Sequence, residues 1–157
     1  MFEQIYNYFT ISTLYLWVNL GVLPLWLVLI FFPKSYFCRF FVVSIFPIFI
    51  LSVAYIFILY KSFLNSYDFL DNFSLYLGID SLLNLFSNSL YLMTFWIHFI
   101  AINLFVGGWI VKDSQRFLIN KFLLAIPLLL TYLIGPIGLL IYWFIRIFYA
   151  KNINLYD

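Results

Sequence analysis

The chain has 157 residues, of which 66% are hydrophobic, 25% aromatic and 9% charged, and its net charge is +2. A soluble domain carries roughly a quarter charged residues, so this composition excludes a water-facing surface and specifies an integral membrane protein. The mean hydropathy of +1.07 agrees. The basic residues form no Lys/Arg-rich run, which excludes a nucleic-acid partner, and a single cysteine, Cys38, excludes an internal disulfide and a cysteine-based metal site.

The length suits one membrane domain over residues 1–157. The expected fold is all-α: a polytopic bundle of four transmembrane helices, over residues 8–32, 40–60, 89–111 and 122–148, with a short interfacial helix between the second and third spans. The stretch before the first apolar run has Glu3 and no Lys or Arg, and the run exceeds a signal-peptide core. It reads as a retained helix starting near Tyr8. Its 25 residues cover roughly 37 Å, enough to cross with some tilt. Pro24 removes a backbone donor and frees the Leu20 carbonyl, and the Asn19 amide is placed either to fill that gap or to face a neighbouring helix.

Pro33 and Lys34 end the span, and Lys34 with Arg39 form a short basic turn. The second span is rich in Phe and Ile and reads as structural wall, while Cys38 reads as a small apolar filler. From Lys61 to about Asn88 the connection holds Asp68, Asp71 and Asp80. They read as a solvated rim. Within it, Gly78–Asn88 reads as the interfacial helix, with Asp80 as N-cap and Leu82, Leu83, Leu85 and Phe86 on one apolar side. Lys112, Asp113, Arg116 and Lys121 form the most charged turn, with Asp113 and Arg116 spaced for a local ion pair. The fourth span is broken by Pro127 and by Gly135-Pro136-Ile137-Gly138, and Arg146 and Lys151 sit where they snorkel to head groups. Four crossings put both termini on one side. Five basic residues in the first and third connections against three elsewhere point those turns inward.

The third span carries the chemistry: the only histidine, His98, an amide at membrane depth, Asn103, a glycine pair, Gly107 and Gly108, and an acid at its exit, Asp113. Polar groups inside lipid are costly and point to function. At about 100° per residue, His98 and Trp109 lie about 20° apart, whereas Asn103, Gly107 and Ser114 line a face roughly 140° away. Histidine is the side chain that ordinarily titrates nearest neutrality, so His98 is the proton-transfer candidate. No metal set is present, and no P-loop, nucleophile elbow or dinucleotide fingerprint. No cofactor is expected.

Several motifs then resemble one family. N-x4-P-x-W (Asn19, Pro24, Trp26), W-x-H (Trp96, His98), N-L-F-V-G-G-W-I-V-K-D (Asn103 to Asp113) and G-P-x-G (Gly135, Pro136, Gly138) resemble the neoxanthin-synthase-like family, of the plant abscisic-acid-deficient-four type. The resemblance implies a four-span membrane protein of bacterial type, in the inner membrane. It also implies carotenoid or isoprenoid metabolism, since the plant members are required to convert violaxanthin to neoxanthin by opening an epoxide and forming an allene. On that reading His98 is catalytic, and Asn19, Trp26, Trp96, Asn103, Trp109 and Asp113 contact the substrate. The chain departs from the family pattern F-D-L-F-V-G-R-W at Asn103, where an acid is expected, and at Gly108, where an arginine is expected. A non-catalytic lipid- or carotenoid-binding or assembly protein is the alternative, favoured by those departures. A small transporter is a third reading, and four spans could serve it only as an oligomer.

Overall fold

A computed structural model describes residues 9–65 and 68–153, apart from the side chains of Phe69 and Asp71. The expected start at Tyr8, Glu3 before it, and the Asp71 part of the acidic rim therefore lie outside the described set. All regular structure in the described residues is helical: α1 (Ile11–Phe31), a π-helical turn (Cys38–Val42), α2 (Ile45–Leu64), a 3-10 helix (Phe69–Tyr76), α3 (Ile79–Ser87), α4 (Ser89–Arg116) and α5 (Lys121–Ala150). α1, α2, α4 and α5 are each long and apolar enough to cross a membrane. Large apolar side chains stand exposed along them, among them Trp17, Phe31, Phe49, Phe105 and Phe144, as lipid-facing positions require.

The second helix begins at Ile45 rather than Phe40. The π-helical turn occupies Cys38–Val42, and the Ser44 hydroxyl then accepts from the Phe46 N–H at 3.1 Å to start α2. The buried Cys38 thiol is pushed up to about 11 by desolvation, so it stays protonated, as a packing residue should. The interfacial helix is present, but its cap differs from expectation. Gly78, at φ 116°, occupies the N-cap and Asp80 lies in the first turn. That φ is open to glycine and strained for aspartate. α3 buries none of its residues, and a 3-10 helix precedes it.

The described residues form two compact units. The first takes in α1 as far as Gly21 together with Phe49–Phe99. Its core holds Leu14, Val18, Leu51, Ile58, Met93 and Ile97. Lys61 is held there by the Phe9 carbonyl and by the Phe57 ring, 5.0 Å from its Nζ.

The second unit takes in Val22–Ile48 and the chain from Ile100, and its architecture turns on α5. Leu118 takes a left-handed backbone (φ 54°) and stops α4, the Ile119 N–H returns to the Ser114 carbonyl at 3.0 Å, and the Asn120 side chain caps α5 by accepting from the Phe122 N–H. α5 then loses helical geometry at Ile134 (φ −142°, ψ 68°), two residues before Pro136. Beyond the break the chain folds back. A Cβ on Gly138 would collide with the Thr131 backbone N–H and hydroxyl and would come within 2.5 Å of the Pro127 carbonyl oxygen. Pro127 and Gly138 would be about 16 Å apart along an unbroken helix. Glycine is needed at this crossing because two backbones touch. The Thr131 hydroxyl, donating to the Pro127 carbonyl at 2.7 Å, satisfies a polar group beneath it.

The register along α4 fits the fold-back. Gly135 lies against Asn103, and Tyr142 and Arg146 lie against Asp113. From Asn103 to Asp113 is about 15 Å of helix, and from Gly135 to the midpoint of Tyr142 and Arg146 about 14 Å, so the second half of α5 runs parallel to α4. The first half, residues 121–133, is antiparallel to it. Residues 121–133 and 135–150 are each shorter than the roughly 20 residues that cross a bilayer.

Both ends of α5 therefore lie at the level of the α4–α5 turn. Seven of the eight Lys and Arg residues, Lys34, Arg39, Lys112, Arg116, Lys121, Arg146 and Lys151, then lie at one end of the second unit, where Gln115 also donates to the Pro33 carbonyl at 2.8 Å. Arg146 and Lys151 thus join the five basic residues of the first and third connections, the clustering that the positive-inside rule associates with the cytoplasmic side. A reporter fused after Asn152 and one inserted at Leu118 are expected to register on the same, cytoplasmic side in a topology assay. Opposite sides would mean that α5 crosses the membrane.

Candidate functional site

The two polar faces of α4 separate in the structure as their spacing requires. Asn103, Gly107 and Ser114 are buried, whereas His98 is exposed and has no hydrogen-bond partner among the described residues.

In the first unit, Asn19 and Trp96 come together. The Asn19 side-chain nitrogen donates to the Tyr15 carbonyl one turn back at 2.7 Å, and its oxygen accepts from the Trp96 indole N–H at 3.3 Å. Asn19 thus faces a neighbouring helix and does not fill the gap at Leu20. Trp96 also packs near Tyr15, with ring centroids 6.1 Å apart, and stacks on Phe99 at 5.5 Å. Beside these rings lies a cavity of about 390 Å³ lined by Ile11, Ser12, Tyr15, Ser89, Leu92, Met93 and Trp96. Its walls are overwhelmingly apolar, the character of a site for a hydrophobic ligand.

In the second unit, Trp26 is buried against Gly107, where a Cβ would come within 2.7 Å of the indole ring, and its ring centroid lies 5.4 Å from that of Tyr132. This explains the first glycine of the pair. The second faces elsewhere: a Cβ on Gly108 would lie 3.8 Å from Val43. Asn103, five residues earlier and about 140° around the helix, points to Gly135 instead. The two departures from the family pattern thus face different neighbours.

The strongest polar constellation surrounds Asp113. Its Oδ2 accepts from the Tyr142 hydroxyl at 2.6 Å and from Arg146 Nε at 2.8 Å. All three residues are buried, Asp113 being 4% and Arg146 2% exposed. The Arg146 guanidinium stands 4.9 Å from the Phe117 ring, and Trp109 meets the Tyr142 ring edge-on at 5.7 Å. Two expectations are corrected here. Asp113 does not pair with Arg116, which is exposed at the end of α4, and Arg146 does not snorkel to the head groups. The return of α5 is the cause, since it carries Arg146 to the buried face of α4. Tyr142 was not singled out by sequence reasoning. The available signal was its spacing, four residues before Arg146 and so on the same face of a helix.

Among the described residues no group of His, Cys, Asp or Glu could hold a metal ion. Among the described residues no acid is recorded beside His98, and Asp113 lies about four turns further along α4.

Residues 13–142 match the family model described as ABA DEFICIENT 4-like. The chain belongs to that family. The matched stretch takes in α1 from its first turn, the whole of α4 and the partner tyrosine of Asp113. No curated protein and no solved structure matches the chain. Family membership agrees with the resemblance carried by the Asn103-to-Asp113 motif.

Breaking a buried ion pair from one side strands the other charge. Arg146→Met is expected to destabilise the protein by about 3–5 kcal/mol. Asp113→Leu combined with Arg146→Met is expected to recover much of that loss. Thermal unfolding in detergent measures both. Equal stability of Arg146→Met and wild type would show that the pair does not hold α5.

Proposed function

We propose that this family member holds a long, apolar isoprenoid of the carotenoid type within a bacterial-type cytoplasmic membrane, without transforming it. The observation that carries this reading is the state of His98 and Asp113 on α4. Opening an epoxide and forming an allene needs an acid near the oxygen and a base nearby. Asp113 is enclosed by Arg146 and Tyr142, and His98 is exposed without a carboxylate partner among the described residues. Asn103, which stands where relatives are expected to carry an acid, does not exchange protons as a carboxylate does. The aromatic cavity beside Tyr15 and Trp96 supports binding of an extended apolar molecule, as does family membership.

Carotenoid isomerisation with His98 as the proton carrier is the second reading. It is favoured by one observation, that the imidazole is open on the outer face of α4, where a lipid-dissolved substrate reaches it.

Co-expression in carotenoid-producing hosts, with epoxidised and non-epoxidised pigments supplied separately, distinguishes the two. The holding reading predicts an unchanged pigment profile and pigment co-purifying with the protein, with His98→Ala behaving as wild type. Appearance of an isomerised pigment that is lost in His98→Ala would establish the second reading. Purification free of any pigment would reject the first.

A further inference from the structure

The cavity in the first unit has a rim and a floor that differ in polarity. Its walls come from α1 and α4, with Ser12 and Ser89 beside the two helix starts and Tyr15 and Trp96 further in. Ser12 and Asn19 are seven residues apart on α1, as are Ser89 and Trp96 on α4, so each pair shares a helix face over about 10.5 Å of rise. Trp96 hydrogen-bonds Asn19, so the two helices run parallel in matched register and the serines stand about two turns above that bond. At the floor the polar groups are already used. The Trp96 indole N–H donates to the Asn19 oxygen, and the Asn19 nitrogen donates to the Tyr15 carbonyl. The floor therefore offers chiefly ring surface, with the Tyr15 and Trp96 centroids 6.1 Å apart. At the rim the hydroxyls are not used. Ser87 and Thr94, on either side of Ser89 in sequence, return their hydroxyls to the carbonyl four residues back at 2.9 Å. The hydroxyls of Ser12 and Ser89 have no hydrogen-bond partner among the described residues.

None of the described residues lining the cavity carries a charge, so the rim matches neither a carboxylate nor a phosphate. A serine hydroxyl both donates and accepts, and a ligand hydroxyl set between Ser12 and Ser89 donates to one and accepts from the other. The volume, about 390 Å³, stands near the small end of ligand sites, which span roughly 300–1,000 Å³. The depth, about 10.5 Å, is about a third of a hydrocarbon core roughly 30 Å thick. The cavity therefore suits one end of a long isoprenoid and not its whole length. Tyr15 and Leu92, both about half exposed, leave the wall open to lipid for the remainder of the chain. We propose that this cavity takes the hydroxyl-bearing end of the ligand, with the hydroxyl held by Ser12 and Ser89 and the apolar body laid against Tyr15 and Trp96. The inference rests on the reading that the protein holds an isoprenoid-type molecule and adds which end it grips and by what group.

The test is titration of the purified full chain in nanodiscs with β-carotene, β-cryptoxanthin and zeaxanthin, followed by tryptophan quenching. The three pigments carry no, one and two end hydroxyls on the same polyene. Wild type is expected to bind β-cryptoxanthin several-fold to about tenfold more tightly than β-carotene, the worth of one net hydrogen bond. Zeaxanthin should gain no more over β-cryptoxanthin than the doubling that two equivalent ends give. Ser12→Ala combined with Ser89→Ala is expected to make the three affinities equal. Both serines are exposed, and Thr10 and Asn88 cap the two helices, so this variant should melt with wild type. Ser12→Thr combined with Ser89→Thr keeps the hydroxyls and should keep the preference. Equal binding of β-carotene and β-cryptoxanthin by wild type, a preference kept by the alanine variant, or one lost by the threonine variant overturns the hydroxyl site while the holding function stands. A step to zeaxanthin as large as the first overturns the grip on a single end. Binding of none of the three pigments by wild type overturns both this site and the holding function.

Discussion

A carboxylate removed from water must meet its counter-charge, and Asp113 meets it 33 residues downstream. That requirement organises the second unit. Arg146 reaches Asp113 only because α5 turns back at Ile134, and the turn is tolerated only because Gly138 lets two backbones touch. Tyr142 and Trp109 then close the pair from the side, and Phe117 covers the guanidinium. Each element has a local reason, and each would be unnecessary if α5 were one straight helix.

The same fold-back fixes where polarity sits in the membrane. It carries a helix start to the depth of Asn103 and returns the basic end of α5 to the side that already holds the other basic turns. Hydrogen-bond satisfaction in lipid normally forbids an interrupted helix except against protein. Here the interruption is covered on its inner side by α4 through the Gly135–Asn103 approach, leaving Ile134 and Ile137 outward. The functional reading follows from what this arrangement leaves available. The acid is engaged in structure, the histidine stands apart from it, and the Asn103 amide nitrogen is buried without a hydrogen-bond partner. Such a set recognises and orients a ligand more readily than it moves protons.

Much of this was legible in the residues alone. The apolar runs marked four helices, the Gly-Pro-x-Gly run marked the break, and the motif from Asn103 to Asp113 marked the family. The turn between α4 and α5 was visible as the most charged stretch. What could not be read was the direction of the chain after the break, because hydropathy reports that a segment is in lipid and not which side it leaves by. From that single gap came the misplaced Arg146, the Asp113–Arg116 pairing and the weak charge asymmetry. The helical wheel separated His98 from Asn103 correctly but could not say which face would be covered, since that depends on neighbours far away in sequence. At Gly78 the cap was decided by backbone conformation, which outweighed the side-chain preference of Asp80 for that position.

The central claim is that α5 is a hairpin closed on α4, and one distance tests it. Phe122 and Phe148 are exposed near its two ends, and the only native cysteine, Cys38, is buried, so spin labels can be placed at both positions. A continuous helix would separate them by about 39 Å. The fold-back predicts a pulsed electron-paramagnetic-resonance distance less than two-thirds of that value in lipid bilayers. A distance at the full helical length would contradict the account.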